Sequence, residues 1–165
     1  MSNSPAKQTP PLPWELLANY TVGGLFQVGY AAGSDLLLVL SSQGRGIFDC
    51  VTGKKLARDY DEAHDFFDRI HLTAAGFGPL QGATVRMAGL MGGGLPLSTH
   101  DGWGLVVEAR AWPTYTFFLT APGSRDPICL GDDGTCEFRA CGFSETGQSF
   151  IFATSCELLV FARAA

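Results

Sequence analysis

Residues 24–61, GLFQVGYAAGSDLLLVLSSQGRGIFDCVTGKKLARDYD, decide the fold class of this protein. The stretch contains four short runs of strand-forming character, at 25–30, 36–41, 46–50 and 55–59. Each run ends in a cluster of glycine with small or polar residues, which is the usual signal for a tight turn. Four strands separated by tight turns predict an antiparallel meander.

The overall composition supports a single all-β domain. The chain has 165 residues, of which 46% are hydrophobic, so it can bury one substantial core. Its 21 glycines and only 16% charged residues leave little room for long helices. Residues 1–12 are polar and proline-rich, which predicts a flexible tail ahead of a domain at 13–165.

Charge and hydropathy narrow the possible partners. A net charge of −5 predicts no direct nucleic-acid binding, because phosphate contacts need clustered Lys and Arg, and it favours a basic protein partner. The longest apolar run, at 36–40, is too short to span a bilayer, and the start of the chain lacks a signal-peptide pattern. We therefore expect a cytoplasmic protein, with no membrane association, whose five cysteines are reduced and mostly buried in the core.

Other strands are predicted further along the chain. Residues 83–89 alternate in polarity, 104–109 and 114–120 form a hairpin, and 128–130 form a short strand. The acidic stretch between 59 and 82 has no clean periodicity and predicts a long loop with one helical turn at most. Residues 13–20 fit either a short helix or an edge strand, and their pattern alone does not decide.

The chain also contains an internal repeat. Residues 142–161 repeat residues 29–48 at a constant spacing of 113, without a gap. The spacing aligns Gly142 with Gly29, Ile151 with Leu38, and Phe161 with Phe48. Such similarity indicates repeated sheet units.

Both blocks, at about 25–59 and 138–163, resemble blades of WD40-type β-propellers. GFSETGQSFIFATSCELLVFAR has the blade's order of a strand, a phrase like F-S-x-x-G, a strand ending in hydroxyl residues, and a third strand. The family's Trp-Asp pair is replaced by Phe48-Asp49 in the first block and by Phe161-Ala162 in the second. The resemblance implies antiparallel meanders that form a small propeller-like structure, a closed curved sheet or a barrel.

The count of strands makes a further prediction about the two ends. The last block supplies only three strands, whereas residues 14–20 precede the first block without a partner. Propellers remove an exposed edge by adding an N-terminal strand to the last blade. We therefore expect residues 14–20 to pair with residues 158–163.

Known catalytic and metal-binding motifs are absent from the sequence. Residues 142–147 are one residue too long for a G-x-S-x-G nucleophile elbow, and residues 89–94 do not match a phosphate-binding loop. The cysteine and histidine spacings do not fit zinc, so we expect no metal and no cofactor. Cys50 with His100 and Asp101 is the one nucleophile arrangement to test, with a buried, inert thiol as its alternative.

The acidic aromatic stretch is the candidate binding site. Its carboxylates can steer a basic partner, and its aromatic rings can anchor it. The predicted binding residues are Asp59, Tyr60, Asp61, Glu62, Asp65, Phe66, Phe67 and Asp68.

The leading functional hypothesis is a non-catalytic protein-binding module, and within that class an immunity-type inhibitor that occludes a basic toxin or nuclease. The chain resembles small uncharacterised bacterial proteins, and that class includes toxin antidotes. The alternative is an enzyme or small-molecule binder with a site in the loops at 92–103, at His100, Asp101 and Trp103. A scaffold that self-assembles through exposed strand edges is the third possibility.

Overall fold

The computed structural model describes residues 5–164, without the side chains of residues 110 and 111. The described chain consists of β-strands and two 3-10 helices, Ala63–Phe66 and Gly78–Leu80, and the all-β prediction is confirmed. The strands are β1 (Trp14–Thr21), β2 (Leu25–Tyr30), β3 (Leu36–Ser41), β4 (Gly44–Asp49), β5 (Lys54–Asp59), β6 (Phe67–Asp68), β7 (Thr73–Ala75), β8 (Thr84–Arg86), β9 (Ala88–Gly89), β10 (Gly104–Ala111), β11 (Thr114–Thr120), β12 (Ile128–Asp132), β13 (Phe138–Phe143), β14 (Ser149–Thr154) and β15 (Glu157–Arg163).

The strands form four antiparallel sheets, numbered in chain order. Sheet I has the order β5-β4-β3-β2-β9, and sheet IV has the order β1-β15-β14-β13. Between them, the chain forms sheet II (β6-β7-β8) and sheet III (β10-β11-β12). The central part of the chain therefore builds two sheets of its own and contributes only β9 to sheet I.

The sequence repeat is also a repeat of backbone structure. The strands β2 and β3 lie 113 residues before β13 and β14, with identical lengths. Gly29 is opposite Leu38 in the first copy, as Gly142 is opposite Ile151 in the second. Even the irregularity in pairing near the start of β2 recurs at the same place in β13.

Three apolar clusters between the sheets set the stacking order II–I–IV–III. Alternate residues of a strand point to opposite faces, so Val39 of sheet I packs toward sheet IV whereas Leu38 packs toward sheet II. In sheet IV, Ile151 packs toward sheet I and Phe152 toward sheet III. Because the two inner sheets are covered on both faces, their central strands β3 and β14 are buried along nearly their whole length.

The expectation of a closed sheet or barrel is wrong for the described residues. Each of the four sheets is open and has two edge strands. The sheets bury their apolar faces by stacking on one another, so burial does not require a sheet to close on itself.

The predicted pairing of the two ends is confirmed. β1 is antiparallel to β15, with Trp14 opposite Arg163 and Tyr20 opposite Leu158. The helical alternative for residues 13–20 is therefore wrong. The order of strands makes β1 the fourth strand of sheet IV, where it covers the edge that β15 would otherwise expose.

The N-terminal segment lies beside sheet III. Of residues 1–12, predicted as a flexible tail, the first four lie outside the described residues. Further along, the Gln8 N–H donates a hydrogen bond to the Cys129 carbonyl of β12 at 2.8 Å.

No helix among residues 5–164 is long and apolar enough to cross a membrane.

The cysteines differ in part from the prediction of five reduced thiols. Cys50, Cys129 and Cys141 are free and buried. Cys136 and Cys156 form a disulfide, with their Cα atoms 6.0 Å apart. The pairing of β13 with β14 brings the two turns that carry them together, and disulfides of this kind are typical of oxidising compartments rather than of the cytosol.

Candidate functional site

The acidic segment connects sheet I to sheet II. Asp59 is the last residue of β5, Ala63–Phe66 forms a single 3-10 turn, and Phe67–Asp68 is β6. The turn is closed by a hydrogen bond from the Asp65 N–H to the Glu62 carbonyl at 3.1 Å. The prediction for residues 59–82 of a long loop with one helical turn at most is correct only for the first part, because β6, β7 and a second 3-10 helix follow within this range.

Arg45 fixes the start of this segment to sheet I. Its Nε donates to both carboxylate oxygens of Asp59, at 3.1 and 3.3 Å, and its Nη1 donates to the Ala75 carbonyl at 3.1 Å. The guanidinium carbon lies 3.5 Å from the ring centroid of Phe66 and 4.4 Å from that of Phe77. Arg45 is only 6% exposed, so its charge depends on these partners. Asp59 and the face of Phe66 are therefore occupied within the molecule.

The second predicted anchor, Phe67, packs inward. Its side chain belongs to the apolar cluster between sheets I and II, and its ring centroid is 6.2 Å from that of Phe26. The imidazole of His64 stacks flat on the same Phe26 ring, with 4.4 Å between centroids. These contacts hold the 3-10 turn on the core.

Asp68 forms a turn with the residues that follow it. Its Oδ1 accepts hydrogen bonds from the N–H groups of Ile70 and His71, at 2.9 and 3.1 Å. Its Oδ2 lies 2.8 Å from His71 Nδ1, and hydrogen bonding from the His71 side chain lowers the pKa of Asp68. The turn projects Ile70, whose side chain is 89% exposed. Ile70 is not among the residues predicted from the sequence, although an Asp that caps the backbone two residues later is a recognisable turn signal.

The remaining four predicted residues have exposed side chains. Tyr60 is 80% exposed, with the Arg58 guanidinium carbon 4.7 Å from its ring centroid. Asp61, Glu62 and Asp65 are exposed, and no cation in the described part of the chain lies within ion-pair distance of them. We call the surface formed by Tyr60, Asp61, Glu62 and Asp65 the acidic surface.

In the alternative site, Asp101 has a structural ion pair. Its two carboxylate oxygens accept hydrogen bonds from the Arg163 guanidinium, both at 2.8 Å, and Oδ1 accepts another from the Thr99 hydroxyl at 2.7 Å. The hydrogen bonds from Arg163 hold the pKa of Asp101 well below its usual range. Since Arg163 lies at the end of β15, this pair ties the loop before β10 to sheet IV.

The other two residues of the alternative site lie in different environments, one buried and one exposed. Trp103 is 7% exposed and packs edge-on against Trp14, with 5.8 Å between ring centroids. His100 is exposed at an open depression that it shares with Glu145. The structure therefore does not gather His100, Asp101 and Trp103 around one ligand-sized site.

Cys50 does not have the properties of a nucleophile. Its thiol is completely buried in the cluster between sheets I and IV, and burial raises its pKa to about 12. Nucleophilic cysteines have lowered pKa values and partial exposure.

Within residues 5–164, no group of three or more His, Cys, Asp or Glu side chains is placed to hold a metal ion.

Comparison with protein-family models, with curated proteins and with solved structures finds no match to this chain. The site must therefore be interpreted from its own geometry and charge.

Proposed function

We propose that this protein is a non-catalytic binding module that docks a basic protein partner through the acidic surface. The carrying observation is that Asp61, Glu62 and Asp65 are exposed and unpaired, whereas the neighbouring Asp59 is fully engaged with Arg45. Like charges held close together repel one another, and a cationic partner would relieve that repulsion.

The geometry supports a docking role in a second way. The acidic surface sits on a turn that Arg45, Phe66 and Phe67 fix to the core, so little ordering entropy is lost when a partner binds. Tyr60 and Ile70 are large exposed apolar side chains in the same stretch. Aromatic and branched side chains of this size can serve as anchors within a charged rim.

Within this class, we propose an inhibitor of a basic toxin or nuclease. The active site of a nuclease carries positive potential because it must attract phosphates, so an acidic surface can occupy it in place of the nucleic acid. The stacked sheets act as a rigid scaffold that presents the acidic surface to a protein partner.

The test uses two variants with the same change in charge. Asp61→Asn with Glu62→Gln removes two charges from the acidic surface, and Glu15→Gln with Asp126→Asn removes two exposed charges elsewhere. Tagged wild-type protein and both variants are used for affinity capture from the native host at low salt. We expect one basic protein to be captured by the wild type and the control but lost from the acidic-surface variant.

Association kinetics with the purified partner then separate steering from other effects. Loss of two steering charges should slow association of the acidic-surface variant on the order of 10-fold at low salt. At high salt, the association rates of the variant and the wild type should converge. If both variants capture the same protein with the same salt dependence, the acidic surface is not the docking site.

A further inference from the structure

An open groove of about 530 Å³ lies between the tip of the β10–β11 hairpin and the turn that connects β12 to β13. It is remote in sequence from the acidic surface and is not part of the function proposed above. The groove combines aromatic rings with carboxylates. Its principal lining residues are Trp112, Tyr115, Asp133, Glu137, Phe138 and Arg139.

Three aromatic rings form a continuous row along the groove. The ring centroids of Trp112 and Tyr115 are 6.4 Å apart, and those of Tyr115 and Phe138 are 5.4 Å apart. Trp112 is 78% exposed, whereas Tyr115 and Phe138 are half-buried. Trp and Tyr are the side chains that most often anchor a binding partner, since they combine a large apolar area with a hydrogen-bond donor.

The charges beside this row are mostly negative. Glu137 and Asp132 are exposed, and Asp133 is buried in the wall. Arg139 lies 3.1 Å from Glu137, but its Nε donates to the carbonyl of Leu25 at 3.0 Å, so it is partly committed to sheet I. Of the described residues that line the groove, Asp133 and Glu137 carry carboxylates and Arg139 carries a guanidinium, and this excess of negative charge complements a cationic side chain.

The wall that carries Glu137 is fixed in place. Cys136 is joined to Cys156 by the disulfide, and the Glu137 N–H donates to the Ser155 hydroxyl at 3.0 Å. In return, the Ser155 N–H donates to the Glu137 carbonyl at 2.7 Å. A wall held by a covalent bond and two hydrogen bonds loses little entropy when a ligand contacts it.

The chemistry of the row selects an extended, proline-rich occupant. The Trp112 indole N–H and the Tyr115 hydroxyl are hydrogen-bond donors that the row can offer to an occupant. A polyproline II segment presents carbonyls without internal hydrogen bonds, and its prolines pack on aromatic rings, whereas the carbonyls of a helix are already paired. We propose that this groove binds a proline-rich segment of a partner protein that carries an arginine or lysine beside its prolines.

Fluorescence anisotropy with the intact protein tests the proposal. The probe is a fluorescein-labelled peptide with five prolines on each side of one arginine. One comparison peptide replaces the arginine with glutamate, and another keeps the arginine but replaces the prolines with glycine and serine. The first peptide should bind about 10-fold more tightly than either comparison, because each loses one of the two recognition elements.

Variants assign the binding to the groove. Trp112→Ala should weaken binding of the arginine peptide about 10-fold, and Trp112→Phe should weaken it less, since an aromatic ring remains although the indole N–H and part of the ring area are lost. Glu137→Gln should reduce the preference for arginine over glutamate. Val51→Ala, which trims an exposed apolar side chain in the β4–β5 turn, should have no effect.

Three outcomes would overturn the proposal. They are equal affinity for all three peptides, no binding of any of the three, and unchanged binding by folded Trp112→Ala and Trp112→Phe. The variants of the acidic surface leave this groove intact, so the two proposals can fail independently.

Discussion

Replacing Asp59 with Asn should destabilise the protein through the cation that it compensates. Arg45 is 6% exposed and enclosed by the rings of Phe66 and Phe77, so its guanidinium has little access to water. The substitution keeps the size of the side chain and one hydrogen-bonding oxygen but removes the negative charge. The buried guanidinium would then be left without a counter-charge.

The magnitude follows from the degree of burial. Removing one partner of a fully buried ion pair costs about 3–5 kcal/mol. The Asp59 side chain is 24% exposed, and the two rings and the Ala75 carbonyl still contact Arg45. We therefore expect a loss of about 2–3 kcal/mol, which for a domain of this size lowers Tm by about 5–10 °C.

Thermal and urea unfolding of three variants provide the measurement. Asp61→Asn, which removes an exposed and unpaired carboxylate two residues away, should change Tm by less than about 2 °C. The double variant Arg45→Met with Asp59→Asn should be more stable than Asp59→Asn alone, because no buried charge remains without a partner. Equal Tm values for Asp59→Asn and Asp61→Asn would refute the reasoning.

Three more predictions concern the scaffold. Gly44→Ala should lower the free energy of unfolding in urea by about 3 kcal/mol or more, and Gly33→Ala by only about 1 kcal/mol. At φ 121°, a Cβ on Gly44 would lie 2.2 Å from a β5 carbonyl oxygen, whereas a Cβ on Gly33 would face open space. Cys136→Ser with Cys156→Ser should lower the free energy of unfolding by about 3 kcal/mol, the entropy of a loop of this length, and a reductant should bring the wild type to the same value. The lowered pKa of Asp101 adds stability above the ordinary carboxyl pKa that is lost as pH falls; Asp101→Asn should therefore be less stable than the wild type at pH 7, with the gap narrowing at pH 3.

The strands themselves were largely predictable from the sequence. The four runs of the first meander match β2 to β5 within two residues at each end, since each is bounded by a glycine-containing turn. The repeat at a spacing of 113 then locates β13 and β14 from β2 and β3. Two stretches differ from the prediction. Residues 83–89 are divided into β8 and β9, because the Met87 N–H bonds to the Leu72 carbonyl, and residues 59–82, predicted as a long loop, contain β6 and β7.

The assembly of the sheets was not predictable in the same way. A run such as residues 36–41 shows that both faces of a strand are buried, but not which sheet covers each face. The resemblance to propeller blades therefore suggested closure, whereas the structure satisfies the same burial by stacking. The disulfide was missed because its two cysteines are brought together only by the pairing of β13 with β14.

The composition of the acidic stretch predicted the candidate site, but in the structure its residues have different roles. The acidic and aromatic residues were predicted to form one site. In the structure, Asp59 and Phe66 contact Arg45, and Phe67 packs in the core. The Arg45–Asp59 contact could not be found by counting back from the turn at Thr52-Gly53, because an irregularity between Ile47 and Phe48 shifts the pairing of β4 with β5 by one residue. Ile70 required knowledge of the turn made by Asp68.

The pairing of β1 with β15 also determines the order in which the protein can be completed during synthesis. Thr21 and Glu157 are adjacent partners, although 136 residues separate them in the chain. At about 5–20 residues per second, a ribosome leaves β1 without its partner for about 7–30 s, while sheets I and II can already form. During that interval, β1 of one nascent chain is free to pair with β15 of another. The resulting strand-exchanged dimer would preserve the β1–β15 register of the monomer, so the local concentration of chains, rather than any difference in contacts, would decide between the two forms.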